Sequence, residues 1–345
     1  MKKEEEIIKI EDLGEFGLIE RITKKISLKN TSTILGPGDD AAVLKNNDNT
    51  VVSSDMLVEG VHFDMTFTPL KHLGYKAVVV NISDIYAMNA MPKQITVSLA
   101  ISSKYTLEAI DELYDGIILA AEKYNVDIVG GDITSCAQGL TIAITAIGEC
   151  PKNKLVYRSG AKENDLIVVS GDLGGAYMGL TILQREKEVW KSNPNMQPDL
   201  DNYNYILERQ LKPEGRKDII DFFKENKIKP SSMIDISDGL ASELFHICKT
   251  SKVGCQIYED KIPIDPQTHK TSLDFNINPT VSALNGGEDY ELLFTIKQKD
   301  YEKIAQNPNL SIIGHISKKE SGLNLISNGE TSTPLKAQGW DHFNI

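Results

Sequence analysis

Six short segments set carboxylates beside glycine or serine: Gly36-Pro37-Gly38-Asp39-Asp40, Ser53-Ser54-Asp55, Asn81-Ile82-Ser83-Asp84, Gly130-Gly131-Asp132, Asp235-Ile236-Ser237-Asp238-Gly239 and Gly286-Gly287-Glu288-Asp289. One such segment alone reads as a turn or a helix N-cap. Six of them, mostly closing apolar runs, suggest a shared site. Asp40, Asp55, Asp84, Asp132 and Asp235 could converge at one end of a sheet, where ligands bind in open α/β folds. Converging carboxylates repel one another and need hard cations. Oxygen ligands without His or Cys favour Mg²⁺, which bridges to substrate phosphates. Glycines beside the acids let backbone amides approach phosphate oxygens. Arg158, in Arg158-Ser159-Gly160, could contact a polyphosphate, although it reads equally well as an ordinary surface arginine. The sequence has no Gly-Lys pair for a Walker-type loop, no G-x-G-x-x-G opening a helix and no H-R-D with D-F-G. Walker, Rossmann and protein-kinase architectures are therefore disfavoured.

The elements that must carry these acids follow from the hydrophobic period. Short β-rich runs alternate with helical patterns: strands are expected at Thr50–Ser53, Ile95–Ile101, Asp127–Val129, Leu140–Ile147 and Leu166–Ser170. The acids are expected in the turns that follow. Leu107, Ile110, Leu113, Ile117, Ala121 and Tyr124 form one apolar stripe on a helix over 105–124, and a second helix is expected from about Leu70 to Met88. Polar residues at 151–154 mark a boundary, which gives an N-terminal domain over 1–150 and a C-terminal α/β domain over 151–345. The stretch 191–204 reads as a surface insertion between helices. His246, on a helix with Leu244, Phe245 and Ile247, reads as a core histidine. The fold class is α/β (mixed α+β) with two domains, as 345 residues also suggest.

Composition limits the partners. Lys and Arg number 37 against 49 Asp and Glu, a net charge of −12, which opposes binding to nucleic acid or to an anionic membrane. The 4 cysteines form no C-x-x-C pair, and no apolar run is long enough to span a bilayer, so a cytoplasmic protein is expected.

In order as well as type, these segments resemble the thiamine-monophosphate kinase family, within the superfamily of aminoimidazole ribonucleotide synthetase and selenophosphate synthetase. The resemblance rests on Gly36–Ala42, Ser53–Phe63, Lys76–Asp84, Val129–Asp132, Arg158–Ala161, Asp235–Leu240, Gly286–Leu292 and Gly339–Phe343. It implies ATP-dependent phosphorylation of thiamine monophosphate to thiamine diphosphate. By the same resemblance Asp40, Asp55, Asp84, Asp132 and Asp235 are ligands of several Mg²⁺ ions and the residues on which catalysis depends. Ser53 and Ser54 add oxygens, Ser53 through its backbone, and Asp238 binds a further Mg²⁺. Gly131, Arg158, Ser237 and Tyr114 bind ATP, and His62, Glu288 and Trp340 contact the thiamine phosphate. The N-terminal domain is expected to form a homodimer. Two departures stand out: Ser54 replaces the usual Thr and keeps its hydroxyl, and Asn89 replaces the usual Gly, which a turn at φ > 0 tolerates. Three rival readings remain. A cyclo-ligase should lack the Gly286–Tyr290 and Gly339–Asp341 combination, and selenophosphate synthetase should carry a reactive Cys near its start, whereas the first here is Cys136. A non-catalytic nucleotide or metal sensor would bind Mg-ATP without forming ADP.

Overall fold

The computed structural model describes residues 18–37, 42–329 and 331–336. It divides into two units, one holding residues up to Ile85 and Met91–Glu149, the other Tyr86–Ala90 and the residues from Cys150 onward.

In the first unit, β1 (Thr33–Leu35) and β2 (Val43–Leu44) form a small ribbon. The main sheet holds β3 (Asn49–Val58), β4 (Met91–Ile101), β5 (Asp127–Ser135) and β6 (Leu140–Cys150) in the order β3-β6-β4-β5. Its strands alternate: Ile95, Val97 and Leu99 of β4 are buried, with Ile142, Ile144 and Ala146 of β6 beside them. Two helices cover this face, α1 (Leu70–Ala87) and α2 (Leu107–Tyr124). The stripe expected on α2 is buried, and the helix opens on an N-cap, with Thr106 Oγ1 accepting from the Ala109 N–H at 3.3 Å. The helices cross where glycines leave room, since a Cβ at Gly116 would lie 1.9 Å from the Lys71 carbonyl. Asn89, after α1, takes φ 55°, the left-handed turn expected of it.

The second unit is built on a seven-stranded sheet of order β13-β12-β9-β11-β7-β10-β8. Its strands are β7 (Leu166–Ser170), β8 (Ser232–Asp235), β9 (Gly254–Tyr258), β10 (Leu292–Ile296), β11 (Leu310–Ser317), β12 (Leu323–Ile326) and β13 (Ser332–Pro334). Every residue of β10, an interior strand between β7 and β8, is buried. The helices of this unit are α3 (Gly175–Ser192), α4 (Asn204–Leu211), α5 (Lys217–Glu225), α6 (Leu240–Ser251), α7 (Pro266–Asp274), α8 (Pro279–Asn285) and α9 (Tyr301–Ala305). The stretch 191–204 links α3 to α4 and is largely exposed, in keeping with a surface insertion. His246 departs from expectation. On α6 the buried positions are Leu240, Ala241, Glu243, Leu244, Ile247 and Cys248, which turns Phe245 and His246 toward solvent. No described helix is long and apolar enough to cross a membrane.

Candidate active site

Two of the acids expected in turns lie inside strands, and Asp84 lies in the helix expected over its position. Asp55 is in the middle of β3, Asp132 is within β5, and Asp84 is in the last turns of α1. The strands simply run on through their polar ends. Asp40 and Trp340 fall outside the described residues.

Alternation along β3 sends Ser53 and Asp55 to the face covered by α1 and Ser54 to the other. The Ser53 hydroxyl donates to Asp84 Oδ2. The Asp55 N–H donates to Asn81 Oδ1 at 2.9 Å, and Asn81, 1% exposed, anchors itself by donating from Nδ2 to the Ala77 carbonyl at 2.9 Å. Asn81 therefore locks the strand carrying Asp55 to the helix carrying Asp84. Burial pushes the Asp55 carboxyl up to about 6, and the neighbouring charge of Asp84 adds to the shift. Ser54 turns away: its hydroxyl donates to the Ile144 carbonyl at 3.2 Å and meets Thr145 Oγ1 at 3.0 Å. Asp132 stands apart as well. It is exposed on β5, three strands across the sheet from β3, in register with Ser98 and so on the face opposite buried Val97 and Leu99. Among the described residues no group of three or more His, Cys, Asp or Glu side chains is close enough to hold a metal ion. The structure thus gathers Ser53, Asp55 and Asp84, and leaves Asp132 separate.

Among the expected nucleotide contacts of this unit, Gly131 pairs so closely with β4 that a Cβ would lie 1.8 Å from the Val97 carbonyl. Tyr114 is buried in α2, and burial holds its phenol above the usual range. His62 is half-buried, its Nδ1 accepting from the Val58 N–H at 3.1 Å, which leaves Nε2 as the protonated nitrogen of the neutral ring.

In the second unit the two acidic loops lie side by side. Asp235 ends β8 opposite Leu292 of β10, and the chain then continues through Ser237 and Asp238. Three backbone hydrogen bonds join the segments: Glu288 N–H to Ser237 O at 2.7 Å, Tyr290 N–H to Ile236 O at 2.9 Å, and Ile236 N–H to Glu291 O at 2.7 Å. Ser237, expected at the nucleotide, and Glu288, expected at the acceptor, are therefore neighbours. The second loop is tightly wound, with φ of 71° at Gly287, 56° at Glu288 and 51° at Tyr290. For Glu and Tyr this left-handed backbone is costly and persists only where the surroundings enforce it. Arg158 is exposed. Glu243 of α6, unremarked in the sequence, is 2% exposed and accepts from the Asp238 N–H at 3.3 Å; burial pushes its carboxyl up to about 7.

A buried ionic cluster enforces the second loop. Glu291, 1% exposed, accepts from Arg209 Nη1 at 2.9 Å, from Arg216 Nη1 and from the Ser170 hydroxyl at 2.5 Å. Asp289, fully buried, accepts from the Gly174 N–H at 2.8 Å and lies 3.7 Å from the Arg209 guanidinium. Burial opposes the charge on Arg209, but Glu291, Asp289 and Asp172 override it and keep the guanidinium protonated. The reading of the sequence missed Arg209 and Arg216. One signal was available: Glu288, Asp289 and Glu291 crowd the start of an apolar strand, and acids buried there demand cations.

Residues 38–150 match the family model described as AIR synthase related protein, N-terminal domain. This match and the fold define the class: a two-domain, mixed α/β protein of the type found in aminoimidazole ribonucleotide synthetase. Thiamine-monophosphate kinase of Bacillus subtilis (strain 168) is 35% identical over 341 residues, covering 96% of this chain and 100% of its own. Among solved structures, AaThiL complexed with AMPPCP and TMP matches with a TM-score of 0.73 at 31% identity, over 97% of this chain and 99% of its own. Thiamine-monophosphate kinase from Stenotrophomonas maltophilia K279a gives a TM-score of 0.76 at 31% identity, over 92% and 98%. The chain belongs to the thiamine-monophosphate kinase family, and it is a kinase.

Proposed function

We propose that the protein transfers the γ-phosphoryl group of ATP to the phosphate of thiamine monophosphate, giving thiamine diphosphate and ADP. The observation that carries this reading is the full-length likeness to AaThiL, a protein whose solved complex holds AMPPCP and TMP together. The site chemistry supports it. Burial, with the nearby charge of Asp84 adding to it, raises the Asp55 carboxyl, as expected of a ligand built for a hard cation. On this reading Asp55 and Asp84, with an oxygen from Ser53, would hold Mg²⁺, while Asp40, Asp132, Asp235 and Asp238 would serve further ions and Ser54, whose hydroxyl faces the other side of β3, would not share the first. Mg²⁺ bound there would screen the negative charge of donor and acceptor phosphates.

The protein's own groups then have positioning work only. The attacking oxygen belongs to a phosphate that is already anionic, so no side chain needs to remove a proton. Gly131, Arg158, Ser237 and Tyr114 are assigned to the nucleotide, and His62, Glu288 and Trp340 to the thiamine phosphate. An indole suits an electron-poor thiazolium ring. We also assign a homodimer, formed by a second copy on the sheet face where β3 exposes Val52 and Met56.

The test is ADP release coupled to a dehydrogenase read-out, run with thiamine, thiamine monophosphate and aminoimidazole precursors, with thiamine diphosphate measured directly. ADP and thiamine diphosphate in equal amounts, with the monophosphate alone, are expected. Binding of Mg-ATP without turnover on any acceptor would indicate a sensor instead.

A further inference from the structure

Glu288, Asp289 and Glu291 place three carboxylates within four residues, and two consecutive side chains of α4 meet all of them. Arg209 reaches Glu291 at 2.9 Å and Asp289 at 3.7 Å, while Gln210 Nε2 donates to Glu288 Oε2 at 2.8 Å. The two buried acids receive a guanidinium, as burial demands. The half-buried acid receives an amide, which fixes a carboxylate's orientation without adding charge. The platform is rigid, because α4 lies so close to α3 that a Cβ at Gly179 would fall 2.0 Å from the Ile206 carbonyl. At the other end of Glu288 the backbone is fixed by its bond to Ser237 and by its left-handed φ. Both ends of the side chain are thus set before any ligand arrives.

We infer that Gln210 is a positioning residue for the acceptor: it aims the Glu288 carboxylate at a ligand bearing an amino group or a cationic ring. The inference rests on the reading of thiamine monophosphate as acceptor and Glu288 as its contact. Thiamine monophosphate carries an aminopyrimidine and a positively charged thiazolium, so an oriented carboxylate suits it.

The test is steady-state kinetics on the full chain with ATP and thiamine monophosphate. Gln210→Met keeps the side-chain length and removes the donor. Its KM for thiamine monophosphate should rise about tenfold, the scale of a hydrogen bond to a charged group, with kcat within about twofold and the KM for ATP unchanged. Gln210→Glu, which faces Glu288 with a second carboxylate, should raise that KM further. In a Glu288→Ala background, Gln210→Met should add nothing to the loss of kcat/KM, because the group it orients is gone. This coupling is read from the double-mutant cycle even if Gln210→Met lowers the melting temperature. An unchanged KM in Gln210→Met, or losses that multiply in the double variant, would overturn the inference while wild-type turnover leaves the functional reading intact. A wild-type enzyme inactive on thiamine monophosphate would sink both.

Discussion

At the scale of residues, Asp55 is the group whose environment makes the sharpest demand. Its folded pKa of about 6 lies above the ordinary value of 3.8, so between these limits the folded chain binds more protons than the unfolded one. Stability contributed at Asp55 is therefore present below about pH 4 and is lost as pH rises through about 6. In metal-free protein Asp55→Asn should flatten that part of the curve, so that wild type loses melting temperature relative to the variant between pH 4.5 and 7. Adding Mg²⁺ at pH 7.5 should raise the wild-type midpoint and leave Asp55→Asn largely unmoved; calorimetry at several pH values checks both. A second expectation concerns Asp132, which is exposed on β5. Asp132→Asn should abolish turnover with an unchanged thermal transition, and near-normal activity would remove Asp132 from the site. The identities of these residues were legible in the sequence because a carboxylate beside Gly or Ser is locally visible. The partners Asn81, Gln210, Arg209 and Arg216 were harder to read, because each acts across 26 to 82 positions that no local pattern reports.

At the scale of elements, strand pairing turns glycine choice into a measurable distinction. A Cβ at Gly130 would meet open space, whereas one at Gly131 would strike the Val97 carbonyl at 1.8 Å. Gly131→Ala should therefore cost about 3 kcal/mol or more by forcing β5 away from β4, and Gly130→Ala under about 1 kcal/mol. Urea melts of the two variants provide the check, and equal midpoints would show that β5 can shift. The helices were legible in the sequence because their stripes are periodic: α2 buries Leu107, Ile110, Leu113 and Ile117. The strands were legible as strands but too short, since β3 and β5 run through Asp55 and Asp132 rather than stopping at them. Nor could the sequence give strand order, which is what separates Asp132 from Asp55.

At the scale of the whole molecule, the exposed apolar side chains of β3 carry the expectation of a dimer. Val52 is 60% exposed and Met56 55%, both on the face opposite α1. Val52→Asp with Met56→Asp should convert a sedimenting dimer to monomer at micromolar concentration, because a buried unpaired charge costs several kcal/mol. A wild-type chain that already sediments at the monomer mass while active would remove the assignment. The two-domain class was legible in the chain length and in the polar break at 151–154. The make-up of the second sheet was not, because its central strands come from distant positions.

That sheet has a consequence for how the protein is made. Strand β7 sits between β10 and β11, and the Ser170 hydroxyl accepts from the Leu292 N–H across 122 positions. A ribosome adding roughly 5–20 residues per second delivers β7 some 6–24 s before its first neighbour exists. During that interval Ile167, Val168 and Val169, all fully buried in the finished sheet, have no native strand beside them. Nascent chains stalled near residue 286 should thus remain protease-sensitive over 166–170 and bind holding chaperones, and release past residue 317 should end both. The slow step in producing this kinase is then set by sheet order, and speeding translation through 171–291 should raise the soluble yield.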